Sequence, residues 1–393
     1  MLDDEAGFCA YLCEVATGLG FDAISNDSPQ SFIEQYTPGK QVVFVDLYMP
    51  GVDGVELLRF MASNSPPEAI VLMSGGDYHV LRAARQLALE LELNVIDVIQ
   101  KPIKKNELEL VLKKIPGVLG LADKSGFRRV KPSVNQLQRA IQQKELDLEF
   151  QPQYSCATGE MIGVEALARW HSTELGSVSP SIFVPIAESA GLIGDLDRLI
   201  LDLAIQKFAT LKKLKSDLRL SVNMSARTLD DLALPELITT ELMRFELEPE
   251  TLSIEVTETG VMLNLSRSLD ILTRLRMKGI RLSIDDFGTG YSSMIQLVQI
   301  PFCELKIDKR FVENIEEDKD CHAVVKASIS LAKELNLSTV AEGVSNGAIL
   351  NIVSALGCDF SQGYHHAKPV STKLLKSAMQ RNAKNTLEKT DVV

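Results

Sequence analysis

At 393 residues the chain has room for two or three domains with real cores. Its composition, 45% hydrophobic and 24% charged, is that of an ordinary globular protein and excludes a disordered or fibrous chain. A formal net charge of −12 excludes a general nucleic-acid or membrane-surface binder, since there is no basic excess to meet phosphates. Six scattered cysteines (Cys9, Cys13, Cys156, Cys303, Cys321, Cys358) form no CxxC pair and no zinc spacing, and read as reduced thiols. The opening MLDDEAGF lacks the features of a signal peptide, and no apolar run reaches membrane-spanning length. The cytoplasm is the expected compartment, with neither membrane insertion nor DNA binding.

In chain order, the first elements alternate strand and helix over 1–115. FDAIS (21–25), VVFVDL (42–47), AIVLMS (69–74) and VIDVIQ (95–100) are β-rich. VELLRFMAS, YHVLRAARQLALELE and NELELVLKKI have helical periodicity. The strands are apolar nearly throughout, as in a parallel sheet buried on both faces, which predicts a doubly wound α/β domain. PGVLGLADKSGFRRVKPS (116–133) mixes Gly, Pro and charge without period and is the predicted linker. NQLQRAIQQKELD then predicts a helix leading into the strand LEFQPQYS (148–155), opening a domain that runs over 134–380. RNAKNTLEKTDVV (381–393) is polar and aperiodic, a predicted frayed tail.

Within 134–380 six strand-like stretches each end in a group able to hold a metal or a phosphate. They are MIGVEALARW with Glu165, LRLSVNMS with Asn223, LSIEVTET with Glu255 and Glu258, and IRLSIDDFGTGYSS with Asp285 and Asp286. ELKIDK with Lys306 and Asp308, and STVAEGV with Glu342, complete the set. Amphipathic helical stretches separate them. In a parallel β/α barrel the strand tips converge on one mouth. So many acids in one pocket repel each other unless a cation sits among them, which argues for divalent metal chemistry.

The N-terminal segment has its own constellation at strand ends: Asp3 and Asp4, Asp46, Ser74 and Lys101, with MPGVDG after Asp46 and Pro102 after Lys101. It resembles the receiver domain of two-component response regulators. The resemblance implies that Asp46 accepts a phosphoryl group from a sensor histidine kinase. It also implies that Asp3 and Asp4 bind one Mg²⁺, and that Ser74 and Lys101 contact the phosphoryl group. Val98 stands where the family has a switching aromatic. The family's first strand is central to the sheet, yet here only Met1-Leu2 precede Asp3. A truncated first strand predicts unpaired edges, weak phosphorylation, reduced stability and a natural start further upstream.

GVEALARW, SVNMSA, IEVTETG, SIDDFGTGYSS, LKIDK and VAEGV together resemble the EAL-domain phosphodiesterases that hydrolyse cyclic di-GMP. The resemblance implies a variant TIM (β/α) barrel holding two Mg²⁺ or Mn²⁺ ions. The implied ligands are Glu165, Asn223, Glu255, Asp285, Asp286 and Glu342. Lys306 would orient or help deprotonate the attacking water, or serve as a counter-charge. Gln151, Leu167, Arg169 and Gln362 would hold substrate, and Glu258 would anchor the loop from Asp286 to Tyr291. Two departures stand out: Ser345 replaces the acid of the family's EGVE, and His365-His366 follow QGY where apolar or aromatic residues are usual. Adjacent histidines on a strand face opposite ways, so they read as rim or packing residues. The expected activity is hydrolysis of cyclic di-GMP to linear pGpG, modulated by the receiver. The rival is a weak or inactive barrel that binds cyclic di-GMP or a partner protein. Self-association into a homodimer or higher oligomer stays open.

Overall fold

The structure is a computed structural model that describes residues 1–36, 41–76, 78–103, 105–118, 132–262, 265–289 and 294–390. It divides into two compact units, Met1–Arg129 and Val130–Val393.

In the first unit three parallel strands pair in sequence order: β1 (Val42–Asp46), β2 (Ala69–Ser74) and β3 (Val95–Gln100). The helices are α1 (Ala6–Gly18), α2 (Pro29–Gln35), α3 (Gly54–Ser63), α4 (Tyr78–Glu90) and α5 (Lys105–Val118). Their starts are written locally: Ser28 accepts the Ser31 N–H with Pro29 at the first helical position, and Asp53 accepts the Glu56 N–H. Strand alternation supplies two apolar layers. Val43, Val45, Ile70 and Leu72 face Phe32, Leu57 and Leu58, while Phe44, Val71 and Met73 face Leu12, Leu108 and Leu112. A sheet covered on both faces is the doubly wound arrangement.

The predicted strand at 21–25 does not form. A strand there would pair with Met1-Leu2, and that pairing is a single bridge, Leu2 to Asn26. Leu2 is fully buried and bridges Val45 on one side and Asn26 on the other. Its N–H donates to Phe44 O at 2.9 Å, and the Asp46 N–H donates to Leu2 O at 3.0 Å. One rung is thus enough to seat Asp3.

The second unit begins with α6 (Val134–Gln142), which has a capping box between Ser133 and Gln136. Its strands are β4 (Leu146–Ser155), β5 (Met161–Ser172), β6 (Gly176–Val178), β7 (Arg219–Asn223), β8 (Leu252–Thr257), β9 (Arg281–Phe287), β10 (Glu304–Ile307), β11 (Ser338–Ala341), β12 (Phe360–Ser361) and β13 (Val370–Ser371). From β5 through β7, β8, β9, β10 and β11 to β12 every pairing is parallel. The antiparallel β4 closes the ring by pairing with β12 on one edge and β5 on the other. This makes an eight-stranded variant of the β/α barrel with one strand reversed. Between the strands run α7 (Pro180–Ser189), α8 (Ile193–Lys212), α9 (Leu234–Arg244), α10 (Glu258–Met262), α11 (Leu265–Met277), α12 (Met294–Gln299), α13 (Lys309–Val312), α14 (Lys319–Glu334) and α15 (Gly347–Ala355), with α16 (Thr372–Thr390) after β13.

Outward-facing Leu220, Val222, Ile254, Val256, Leu282, Ile284, Leu305 and Ile307 join Leu201, Ile205, Leu272 and Val325 in one core. Each such buried aliphatic contributes roughly 1.5–3 kcal/mol. The intervening positions Ser221, Ser253, Ser283, Glu304 and Lys306 are buried and polar. The residues from 381, read as a tail, continue α16 to Thr390 because they contain no Gly or Pro and are rich in helix formers. Residues 116–118 of the expected linker end α5, and 119–131 lie outside the described residues.

Candidate functional site

Parallel registry explains why distant residues meet at the barrel mouth. Asn223 stands opposite Glu255, and Thr257 opposite Asp285, at the C-terminal ends of neighbouring strands. Glu165 lies opposite Gln151 across β5 and β4. Period-2 alternation puts Glu165, Leu167 and Arg169 on one face of β5.

Lys306 is at the centre and fully buried. Its Nζ lies 2.6 Å from Glu255, 2.7 Å from Glu342, 3.2 Å from Asp285 and 3.7 Å from Glu165. Burial alone lowers a lysine pKa, but the surrounding carboxylates outweigh it and hold Lys306 well above its ordinary value. One ammonium does not balance that many acids. Burial, with Glu165 and Asp285 nearby, pushes Glu255 well up; burial and Asp285 push Asp286 to about 7; burial raises Glu342 to about 8. Glu255 Oε1 is buried with no protein hydrogen-bond partner. Carboxylate oxygens of Asp285, Asp286 and Glu342 all lie within 4.8 Å of one another. An all-oxygen set, crowded and short of positive charge, fits hard divalent cations such as Mg²⁺ or Mn²⁺.

Adjacent residues on a strand should point to opposite faces, yet Asp285 and Asp286 both contribute to this cluster. Asp286 achieves it with a left-handed backbone, φ +55°, where the β9–β10 register also shifts. Aspartate tolerates that region better than most residues, and the bulge re-aims its side chain. Asp308, a further negative charge near Asp286, is held by Arg310 at 3.0 Å. Glu258 opens α10 directly after β8, and its Oε2 accepts the Gly288 N–H at 3.1 Å, tying down the start of the loop after Asp286. Gly290 and Tyr291 of that loop lie outside the described residues.

A net of amides lines the other side. Asn223 donates to Glu165 Oε1 at 2.6 Å, and Gln362 donates to Glu165 Oε2 at 2.6 Å and to Gln151 at 3.1 Å. Gln153 donates to Gln362 Oε1 at 2.9 Å. Gln153 was not singled out from sequence, although its place two residues after Gln151 on the same strand face was a usable signal. Arg169 is engaged by Glu149 at 2.6 Å, a cross-strand partner that sequence alone did not reveal. Leu167 is partly buried beside them. Ser345 is exposed in the turn before α15, away from the acid cluster's hydrogen bonds. His365 and His366 are in a turn, not a strand. His366 stacks on Tyr154 and shares a 2.8 Å hydrogen bond with Ser361.

In the first unit Lys101 Nζ bridges Asp3 at 2.7 Å and Asp46 at 2.8 Å. Oxygens of Asp3, Asp4 and Asp46 lie within 4.8 Å of one another, a second arrangement suited to a divalent cation. Burial pushes the Asp3 carboxyl up, against the Lys101 hydrogen bond. Ser74 is fully buried at the end of β2, and its hydroxyl accepts the Gly76 N–H at 3.0 Å.

Known proteins show the same layout. The EAL domain model matches residues 134–369, and the response regulator receiver domain model matches residues 1–113. Cyclic di-GMP phosphodiesterase RocR of Pseudomonas aeruginosa is 32% identical over 340 residues, covering 84% of this chain and 84% of that protein. The bifunctional diguanylate cyclase/cyclic di-GMP phosphodiesterase MucR of the same organism is 38% identical over 247 residues; this chain spans only 36% of its length. Among solved structures, the MucR phosphodiesterase in complex with c-di-GMP superimposes with a TM-score of 0.59 at 38% identity, over 62% of this chain and 98% of that one. The EAL enzyme Bd1971, bound to cAMP and cyclic di-GMP, gives 0.61 at 28% identity over 75% and 79%. No described helix is long and apolar enough to cross a membrane.

Proposed function

The chain belongs to the EAL domain family and carries a response regulator receiver domain ahead of its barrel, and from that premise we propose that it hydrolyses cyclic di-GMP to linear pGpG in the cytoplasm. The observation that carries the reading is the buried Lys306 inside a ring of carboxylates, with Gln151 and Gln362 joined to Glu165 beside it. Glu165, Asn223, Glu255, Asp285, Asp286 and Glu342 would hold Mg²⁺ or Mn²⁺. Bound there, two such ions would lower the pKa of a coordinated water and offset the phosphodiester's charge.

The chain's own groups do the rest. Lys306, held protonated by its neighbours, orients the attacking water by donating from Nζ. Arg169 offers a planar fork to a nonbridging phosphate oxygen once it exchanges Glu149 for substrate. Gln151 and Gln362 present amides to the substrate's polar edge, and Leu167 gives it an apolar wall. Glu258 fixes the loop that carries Asp286. In the receiver, Asp46 takes a phosphoryl group from a sensor kinase, with Asp3 and Asp4 holding Mg²⁺ and Ser74 and Lys101 contacting the phosphate. Purified protein, cyclic di-GMP and Mg²⁺, with products separated by chromatography, test the reading; no linear dinucleotide at saturating metal would refute it.

A further inference from the structure

The core-facing stripe of α8 is apolar at Leu196, Ile200, Leu201, Ala204 and Ile205, yet it also contains an acid, Asp197. Asp197 is 8% exposed. A buried carboxylate is costly unless donors or a cation offset it. Among the described residues the other charge acting on it is an acid, Glu188, so hydrogen bonds alone offset its burial. Both of those bonds go to the segment that follows Asn223. One oxygen of Asp197 accepts the Ser225 N–H at 2.9 Å and the Thr228 hydroxyl at 2.6 Å. We propose that Asp197 is a positioning residue for the barrel's metal centre, pinning the backbone after Asn223 and so aiming that residue's amide at the cation.

Asn223 needs such support. It is exposed at the tip of β7, so packing does not fix its side chain, and its aim follows its backbone. Its Nδ2 donates to Glu165 Oε1 at 2.6 Å, which makes the amide oxygen the atom that would meet a metal. The two residues after it are tied to different elements. The Met224 N–H donates to Glu255 O at 2.9 Å, on β8, and the Ser225 N–H donates to Asp197, on α8. The strand tip is thereby held from one side by the sheet and from the other by the helix. Glu188 on α7 adds a second, shallower clamp. Its Oε1 accepts the Ser225 hydroxyl at 2.9 Å, and its backbone oxygen accepts from Arg227 at 2.9 Å.

Replacing Asp197 by an apolar residue would orphan the Ser225 N–H and the Thr228 hydroxyl together, and both prefer a new acceptor to burial without one. The segment would shift to find it, carrying Asn223 off line. Groups that orient metal ligands from behind typically govern affinity by roughly 10–100-fold. Asparagine at 197 keeps an oxygen for both donors, so it separates the acceptor from the charge. This inference rests on Asn223 being a metal ligand of the proposed phosphodiesterase.

The experiment uses full-length protein, with amide hydrogen exchange followed without metal, Mn²⁺ binding by spin resonance, and turnover across a Mg²⁺ titration. Asp197→Ala should speed exchange at Met224–Thr228 and weaken Mn²⁺ binding in the barrel by roughly 10–100-fold. Binding at the receiver's Asp3, Asp4 and Asp46 should stay as it was. The Mg²⁺ needed for half-maximal turnover should rise by the same factor, with kcat at saturating Mg²⁺ retained. Asp197→Asn should match wild type in exchange and in metal affinity. Thr228→Val keeps the side chain's shape and removes one bond, so it should give a smaller shift in the same direction even if Asp197→Ala folds poorly. Ile205→Ala truncates the same buried stripe of α8 without touching the segment, and should leave Mn²⁺ affinity unchanged. Unchanged exchange or Mn²⁺ affinity in both Asp197→Ala and Thr228→Val would overturn the proposal. So would an equal loss in Ile205→Ala, or failure of Asp197→Asn to retain affinity. Wild-type protein that binds Mn²⁺ yet makes no product would sink the phosphodiesterase reading instead, and the comparison of metal affinities would still stand.

Discussion

Lys306 and Glu165 divide the work of the mouth differently, and substitutions should separate them. Glu165→Gln removes one negative charge while keeping the side chain's shape, so activity should fall nearly to zero with an unchanged melting curve. Lys306→Ala should lower kcat roughly 10²–10⁴-fold if the lysine acts on the attacking water; wild-type turnover would reduce it to a counter-charge. Ser345→Glu tests the departure from EGVE. Because Ser345 is exposed and outside the acid cluster's contacts, turnover across a Mg²⁺ titration should be unchanged. A marked rise would mean that its distance from the cluster understates its effect. Asp197 offers a different kind of test. It is buried on α8, and a single oxygen accepts both the Ser225 N–H at 2.9 Å and the Thr228 hydroxyl at 2.6 Å. Burial raises its carboxyl from 3.8 to about 6, so between those values the folded state keeps a proton that the unfolded chain has released. Stability therefore falls as pH rises through that window, and above it the cost is on the order of 2–3 kcal/mol. Asp197→Asn preserves the acceptor without the charge, so it should melt higher than wild type at neutral pH and lose the pH dependence. A lower melting point would contradict this.

At the scale of elements, Leu2 does the work of a strand. It bridges β1 and Asn26 and is fully buried, so Leu2→Ala should cost the receiver unit about 2 kcal/mol or more, read by urea unfolding. An unchanged midpoint would mean that the rung contributes nothing. The barrel's strand tips were legible in sequence because polar residues end apolar runs with fixed phase, and parallel registry then brings Asn223, Glu255 and Asp285 together without further information. The reversal of β4 was not legible, since a strand's direction is set by its partners and leaves no mark on its own alternation. The same holds for the Glu149–Arg169 pair, which exists only because β4 lies antiparallel to β5. Alternation also misleads at Asp285-Asp286, where a left-handed backbone overrides it. FDAIS has strand composition but too short a neighbour to pair with, and the stretch after 381 has no apolar periodicity yet continues a helix already begun.

For the molecule as a whole, two acidic clusters on two units are each suited to a divalent cation. In the receiver, the Leu2 rung seats Asp3 against Lys101 beside Asp46 despite the short first strand. Acetyl phosphate with Mg²⁺ should therefore label wild-type protein and leave Asp46→Asn unlabelled; equal labelling of both would place the phosphoryl group elsewhere. In the barrel, calcium should fail to support turnover, because it prefers longer bonds and looser geometry than a paired site for Mg²⁺ provides. The central claim is that the carboxylate ring around Lys306 is a metal-dependent phosphodiesterase site. It is tested most directly by incubating purified protein with cyclic di-GMP, with Mg²⁺ or with excess EDTA, and separating the products by chromatography. The account predicts linear pGpG with Mg²⁺ and none with EDTA; undiminished turnover in EDTA, or no product at saturating Mg²⁺, would contradict it.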